Sequence, residues 1–265
     1  MAENIVLSNT EYKVVGTRPI RPDGTDKVTG RAKYGADYQT AGMLYGKVLR
    51  SPHAHARIKS IDTSKALAMK GVEAIITGAD MPGANKEGAS RGTQMASDNL
   101  LARTKVVYKG HAIAAVAAVN QHVAEAAVDL IKVDFEVLPP VMDVRKAMAD
   151  DAPLIQEDLT TTDLGERTDK KSNIATHVQF TQGDIEKGFA AADVIVEREF
   201  TNQMVHQGYI EPQTASAIWN ENNEITIWTS TQGAFTARDA MAPILDMPVS
   251  KIKVVPMEIG GGFGG

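Results

Sequence analysis

The alternation of apolar and polar positions predicts two successive strand–helix units in the first half of the chain. Residues 57–61 alternate polar and apolar side chains, as expected for a strand with one buried face. Residues 113–119 are apolar at every position, which is typical of a central strand covered on both faces. Asp62 or Thr63 is expected to cap a short helix that ends at Gly71.

The predicted elements of this half follow one another closely. Strands are expected at 44–50, 57–61, 72–77, 105–108, 113–119 and 131–137, and helices at 64–69 and 121–130. Residues 78–102 are polar and have little hydrophobic period, so we expect a long loop there. Pro139 and Pro140 end the pattern.

A second series of elements is expected in the second half. Residues 141–171 hold a short helix near 144–149 and then a charged run with few large apolar residues, so we interpret them as a linker. Further strands are expected at 177–180, 194–200, 215–219, 224–228 and 251–257, and helices at 184–192 and 235–242. The turn Asn220–Asn223 predicts that the strands on either side of it form a hairpin.

The last six residues, Gly260 to Gly265, form the most unusual stretch. Glycine costs about 0.5–1 kcal/mol inside a helix or strand relative to alanine, so five glycines around Phe263 predict a loop. Two interpretations are open at this point: a flexible tail, or a strand end whose free N–H groups approach an anionic or oxo ligand. The stretch matches neither the Walker loop nor the G-x-G-x-x-G motif of phosphate-binding proteins.

Charge and composition narrow the class of protein. The 265 residues carry a formal net charge of −5 with scattered Lys and Arg, so the basic patch of a nucleic-acid-binding protein is missing. No apolar run approaches the ~18 residues of a membrane span, and no secretory signal is recognisable, so the expected location is the cytoplasm. The absence of cysteine excludes disulfides and thiolate-bound zinc or iron–sulfur clusters within this chain.

Candidate side chains outside the glycine loop have weaker patterns. His53 and His55 are two positions apart and His206 lacks metalloprotease spacing, so we interpret the six histidines as surface or core residues rather than metal ligands. Glu211 precedes a proline and follows an isoleucine, and a partly buried carboxylate there would need hydrogen-bond partners. Either a structural or a functional role is open for Glu211.

Several stretches together carry a family resemblance. They are Gly30–Tyr34, Gly46–Ala56, Glu211–Pro212, Ser230–Gln232 and the loop Gly260–Gly265. In content, order and spacing they resemble the molybdenum-binding subunit of the xanthine dehydrogenase and aldehyde oxidase family over nearly the whole chain. The sequence Gly-Gly-Gly-Phe-Gly-Gly after Ser-Thr-Gln is the most specific part of the match.

The resemblance implies an α+β fold in four parts. Residues 1–27 would be an N-terminal arm and residues 28–140 an α/β hammerhead domain. Residues 141–171 would be a linker, and residues 172–265 the beginning of a molybdopterin-binding α+β domain. His53 and His55, which match a motif of the family's hammerhead domain, would have a structural role.

The same resemblance implies that the loop binds the molybdenum cofactor, either molybdopterin or its cytosine dinucleotide. Gln232 would approach the molybdenum centre, where an uncharged amide donates a hydrogen bond without adding a charge. Phe263 and Gly264 match the pair beside the cofactor, and Gly261 and Gly262 would let the chain pass close to the pterin. No catalytic residue and no metal ligand is assigned to this chain.

The resemblance also implies a reaction and partners. The family's chain continues well past the loop to a catalytic glutamate, so we expect a truncated or split large subunit that is inactive alone. With the remainder of the large subunit, an iron–sulfur subunit and an FAD subunit, the assembly would hydroxylate an aromatic heterocycle or aldehyde with oxygen from water, or reductively dehydroxylate an aromatic coenzyme A thioester. The alternative is a non-catalytic interaction module that keeps the fold without cofactor.

Overall fold

A computed structural model describes residues 12–264; residues 1–11 of the expected arm and Gly265 lie outside the described residues. The helices are α1 (Gly24–Thr29), α2 (Ser64–Leu67), α3 (Pro82–Asn85), α4 (Arg91–Leu100), α5 (Gln121–Leu130), α6 (Val144–Ala147), α7 (Ile185–Ala191) and α8 (Ala234–Leu245). The strands are β1 (Tyr45–Arg50), β2 (Ala56–Asp62), β3 (Val72–Thr77), β4 (Lys105–Val106), β5 (Ala112–Ala118), β6 (Lys132–Val137), β7 (Thr160–Asp163), β8 (Glu166–Lys171), β9 (Thr176–His177), β10 (Ala215–Trp219), β11 (Ile225–Ser230) and β12 (Ile252–Met257).

The described residues divide into two compact units. The first unit consists of residues 12–38, 207–234 and 253–264, and the second of residues 39–206 and 235–252. Nowhere in residues 12–264 is there a helix with the length and apolar content needed to cross a membrane.

Strand β5 is the centre of the second unit, as its uniformly apolar sequence predicts. It pairs antiparallel with β1 on one side and β3 on the other, and most of its residues are buried. Ala124 and Ala127 of α5 share a core cluster with Ala114 and Val116 of β5, because small side chains let the helix lie close to the strand. Burying a residue such as Val116 contributes about 1.5–3 kcal/mol relative to leaving it exposed.

The remaining strands of the second unit form two smaller sheets. One has the order β4-β2-β6 and is antiparallel throughout. The other has the order β8-β7-β9 and lies within the region expected to be a polar linker and just after it. The linker expectation overlooked this hairpin because its residues are polar. The threonines at 160–162 nevertheless favour extended backbone, and Leu164 and Gly165 turn the chain with φ of 47° and 94°.

The prediction of a long loop at 78–102 is wrong, since these residues contain α3 and α4. Ser90 caps α4 by accepting a hydrogen bond from the Thr93 N–H, and Pro82 occupies the first turn of α3, where no N–H partner is needed. Ser97 is the one residue of α4 that is fully buried. Helix α4 consists mostly of polar residues and buries a serine rather than a large apolar side chain, which explains why the pattern did not reveal it.

The strand expected at 194–200 is also wrong, since those residues form neither helix nor strand. Val194, Val196 and Phe200 are exposed. An extended segment becomes a strand only when a neighbouring strand takes its backbone hydrogen bonds, and none of the described residues does so here. The helix expected just before it is confirmed as α7, capped by Asp184.

The first unit is built on a sheet of order β10-β11-β12. The expected hairpin is confirmed: β10 and β11 are antiparallel, and the Asn220 side chain accepts hydrogen bonds from the N–H groups of Asn222 and Glu224 in the turn. Asn223 adopts a φ of 60°, a conformation that asparagine tolerates. Tyr38 stacks on Trp228 of β11 with ring centroids 4.2 Å apart, which fastens the N-terminal segment to this sheet.

Candidate functional site

The glycine loop leaves the end of β12 beside the N-terminal segment. The Glu258 N–H donates to the Lys33 carbonyl at 2.9 Å, and Tyr34 forms a parallel bridge with Glu258. Residues 33 and 34 therefore extend the sheet edge at the position where the loop begins. The chain that follows, from Ile259 to Gly264, is half-buried up to Gly262 and then exposed.

Glu211 holds the first glycine of this loop. The Gly260 N–H donates to Glu211 Oε2 at 2.6 Å, and the Ser230 hydroxyl donates to Glu211 Oε1. A β-carbon at Gly260 would lie 2.6 Å from the β-carbon of Glu211, so only glycine fits there without displacing backbone. The half-buried carboxylate has the partners it requires, which assigns Glu211 a role in shaping the loop.

Lys27 holds Ile259, the residue before Gly260. Its ammonium group donates to the Ile259 carbonyl at 3.0 Å and lies 2.8 Å from the Glu258 carboxylate. The hydrogen bond to Glu258 is the main cause that raises the pKa of Lys27, so the ammonium group stays charged. The sequence reasoning missed Lys27, whose only signal was a charged residue in a turn-rich arm.

Gln232 lies against the middle of the loop. A β-carbon at Gly262 would be less than 3.0 Å from Gln232 Nε2, closer than real β-carbons approach other atoms. Gln232 follows β11, and the next turn is set by the Gly233 N–H, which donates to the Thr231 hydroxyl at 3.1 Å. The structure thus brings together the two stretches that the resemblance singled out, Ser230–Gln232 and the glycine loop.

The end of the loop has left-handed backbone. Gly261, Phe263 and Gly264 have φ of 127°, 49° and 86°. A β-carbon at Gly261 would lie 2.9 Å from both the Phe263 ring and the β-carbon of Tyr209, so the ring folds back over Gly261. The Phe263 side chain is nevertheless 76% exposed, and Gly264 has open space around it.

The donor set of this loop fits an oxygen-rich, anionic cofactor. None of the N–H groups from Gly261 to Gly264 has a hydrogen-bond partner among residues 12–264, and the Gln232 amide beside them carries no charge. Free N–H groups on successive residues form the concave donor surface that binds anions. A β-carbon at Gly261 would meet the Phe263 ring and Tyr209, and one at Gly262 would meet the Gln232 amide, so glycine at both positions keeps these groups where they are.

Three of the six histidines, His53, His55 and His111, have packing roles in the second unit. His55 is 4% exposed and its Nδ1 bonds the Pro139 carbonyl at 2.7 Å, and the His53 ring packs edge-on against Phe135. His111 is 2% exposed and is held by the Asp98 carbonyl. In the part of the chain that the structure describes, no group of three or more His, Cys, Asp or Glu is arranged to hold a metal ion.

Two family models match the chain in succession. Residues 29–139 match the model "Aldehyde oxidase and xanthine dehydrogenase, a/b hammerhead domain". Residues 167–265 match the model "Molybdopterin cofactor-binding domain". The glycine loop and Gln232 both lie inside the second match, in the part of the chain that resembles a molybdopterin cofactor-binding domain.

Similar proteins give the same result. A probable xanthine dehydrogenase subunit of Bacillus subtilis is 37% identical over 93% of this chain, and the nicotinate dehydrogenase large molybdopterin subunit of Eubacterium barkeri is 32% identical over 96%. A solved structure of reconstituted CO dehydrogenase from Oligotropha carboxidovorans is 34% identical over 94% of this chain, with a TM-score of 0.75. The chain spans 31%, 56% and 31% of these three proteins, respectively.

The two matches define an α+β chain in which a hammerhead domain precedes a molybdopterin cofactor-binding domain. The chain belongs to the aldehyde oxidase and xanthine dehydrogenase family, whose hammerhead and molybdopterin-binding domains it contains in that order. This confirms the α+β fold class, the family and the molybdenum cofactor expected from the sequence.

Proposed function

We propose that this chain forms one side of the molybdenum cofactor site of a molybdenum hydroxylase, in which Gln232, Gly261, Gly262, Phe263 and Gly264 contact the cofactor. The observation that carries the proposal is the juxtaposition of the Gln232 amide with Gly262, beside N–H groups that have no partner among residues 12–264. Bound there, the cofactor would supply the redox centre that takes two electrons from the substrate while oxygen from water is added to it.

The residues of this chain bind and orient in this proposal. The N–H groups of the loop donate to cofactor oxygens, and the Gln232 amide donates without a charge that would titrate. The exposed Phe263 ring presents an apolar surface on which a flat substrate can pack. Glu211 already accepts from Gly260 and Ser230, so we assign no base to residues 12–264 of this site and place it in the remainder of the large subunit.

The proposed substrate class is an aromatic heterocycle or an aldehyde, hydroxylated with water as the oxygen source. The names of the relatives, which include xanthine and nicotinate dehydrogenases, favour nitrogen heterocycles. Reductive dehydroxylation of an aromatic coenzyme A thioester is the second reaction of this proposal. The proposed partners are polypeptide equivalent to the remainder of the large subunit, an iron–sulfur subunit and an FAD subunit. The iron–sulfur and FAD subunits would take electrons in the hydroxylation and supply them in the reductive dehydroxylation.

Molybdenum analysis of the assembly purified from its native host tests the proposal. We expect about one molybdenum per chain, and a lower content in the Gln232→Ala variant. Gln121→Ala, on the exposed start of α5, removes an amide from the second unit and is expected to leave the content unchanged. An assembly that contains this chain but no molybdenum would instead support the interaction module.

A further inference from the structure

One peptide unit at the entrance of the glycine loop is held at both ends by charged side chains. The carbonyl of Ile259 accepts from Lys27 Nζ at 3.0 Å, and the N–H of Gly260 donates to Glu211 Oε2 at 2.6 Å. These two groups belong to the same planar peptide bond. A peptide whose carbonyl and N–H are both bonded cannot rotate about the chain axis without breaking one of the two bonds.

Both charged side chains are themselves fixed. Lys27 also pairs with Glu258 at 2.8 Å, and its ammonium group lies 5.6 Å from the centre of the Tyr34 ring, so its side chain is only 21% exposed. The second oxygen of Glu211 accepts from the Ser230 hydroxyl. Hydrogen bonds in which one partner is ionised are about twice as strong as neutral ones, so these anchors are stronger than backbone pairing would be.

From this geometry we infer that Lys27 and Glu211 are positioning residues that jointly set the plane of the Ile259–Gly260 peptide. That plane fixes the direction in which the following N–H groups, Gly261 to Gly264, leave the sheet. Glycine has the largest conformational freedom to lose, so a run of glycines needs a fixed starting point to present its N–H groups in one direction. What those groups bind rests on the proposed function; the positioning itself does not.

Hydrogen exchange in the cofactor-free assembly tests the positioning directly. In Lys27→Met we expect the Gly260 amide to exchange about five- to tenfold faster, as for a lost hydrogen bond, although Lys27 does not contact that N–H. Glu211→Gln is expected to speed the same amide. The double variant should be no faster than the faster single variant, because both side chains restrain one peptide.

The Lys27 and Glu211 variants each have a matched control in which another side chain of the same charge is replaced. Arg31→Met breaks the pair of Arg31 with Asp26 in the same segment, and Glu224→Gln removes a carboxylate from the hairpin turn. Both are expected to leave Gly260 exchange unchanged, and the amides of β10 and β11 should stay protected in all variants. Lys27→Gln is the second variant if Lys27→Met loosens that hairpin. Exchange at Gly260 equal to the parent rate in the Lys27 variant with an intact hairpin would overturn the inference.

Molybdenum retention in the loaded assembly separates this inference from the proposed function. If both hold, the Lys27 and Glu211 variants lose cofactor during gel filtration and the two controls keep it. Faster Gly260 exchange in a protein that never contains molybdenum would leave the positioning established and the proposed function rejected. Unchanged exchange in a molybdenum-containing protein would reject the positioning alone.

Discussion

The Gln232 amide lies so close to Gly262 that a β-carbon at residue 262 would clash with it unless the Gln232 side chain moved. The contact joins the end of β11 to the glycine loop, two parts of the chain separated by α8 and β12. It differs from the contact at Gly260, where the neighbouring atom is the β-carbon of Glu211. A side-chain amide can swing away, whereas a β-carbon moves only with its backbone. The two glycines are therefore needed for different reasons.

Alanine substitutions at Gly260 and Gly262 should distinguish a fixed neighbouring atom from a movable one. Gly260→Ala is expected to lower the free energy of unfolding by about 1–3 kcal/mol, since the 2.6 Å approach to the Glu211 β-carbon forces a backbone shift. Gly262→Ala should cost less than about 1 kcal/mol because Gln232 can rotate. Urea unfolding of the purified chain measures both.

Gly188→Ala is the matched control for these substitutions. Gly188 lies in α7 with open space around it, so alanine there should stabilise the chain by about 0.5–1 kcal/mol. Equal losses for Gly260→Ala and Gly262→Ala would contradict the distinction between a fixed and a movable neighbour.

Removal of the Gln232 amide should affect turnover more than stability. In the complete assembly, we expect Gln232→Ala to lower kcat/KM by the equivalent of about 1–3 kcal/mol if one oriented hydrogen bond is lost. Its effect on unfolding should be small because the side chain is exposed. Steady-state kinetics normalised to molybdenum content measures the effect. Unchanged turnover in a molybdenum-replete variant would remove Gln232 from the site.

The fold was predictable where a local pattern decides the structure. Residues 113–119 are apolar at every position, and the observed β5 is the central strand. The turn Asn220–Asn223 produced the expected hairpin because asparagine side chains and backbone suit it. The strand expected at 194–200 failed because pairing depends on a neighbour that no local pattern reveals. Helix α4 was missed because its residues are mostly polar and the one it buries is a serine.

The approach of Gln232 to the glycine loop could be predicted only through the glycine motif and the family resemblance, and the roles assigned to these residues stay predictions. That resemblance proposed Gln232 and the loop together, and the structure places the Gln232 amide against Gly262. Lys27 and Glu211 contact the loop across 232 and 49 positions of sequence, so spacing carried no sign of either contact. The charge of Lys27 also finds its partner, Glu258, only after folding.

His111 should make the stability of the chain depend on pH. Burial lowers the pKa of His111 below its usual value of 6.5, and its Nδ1 accepts from the Val107 N–H while Nε2 donates to the Asp98 carbonyl. As the pH falls through about 6.5, His111 therefore takes up a proton in the unfolded chain but not in the folded chain. Stability is fully present above that pH and falls as the pH drops toward the folded pKa, by up to about 1.4 kcal/mol per pH unit.

Urea unfolding at several pH values between 7.5 and 5 measures this dependence of the free energy of unfolding, which should be about as large as one titrating group produces. His111→Gln should be less stable at neutral pH but should lose the slope that the parent shows below pH 6.5. His122→Gln, an exposed position on α5, should retain the slope. A slope that persists in His111→Gln would mean that another group is responsible.

The exposed apolar segment 193–206 should be the first site of proteolysis in the purified chain. It has neither helix nor strand, and Phe200 and Met204 are 86% and 101% exposed, so a protease can bind its backbone in extended form. The hairpin β7–β8, by contrast, has its backbone bonded within a sheet and should resist. Brief chymotrypsin digestion followed by mass spectrometry of the fragments locates the first cuts.

Assembly should reverse this sensitivity if the segment serves as a surface for other polypeptide. The relatives are longer than this chain, which spans 31% of the Bacillus subtilis protein, and exposed Val194, Val196 and Phe200 are suited to burial against additional chain. We expect cleavage in 193–206 to slow at least about tenfold in the assembly purified from the native host, as expected when opening must precede cleavage. The bond after Trp219, which is 52% exposed where β10 enters the hairpin turn, serves as the internal control and should be cut at the same slow rate in both. Equal cleavage of 193–206 in the two preparations would show that the segment stays uncovered.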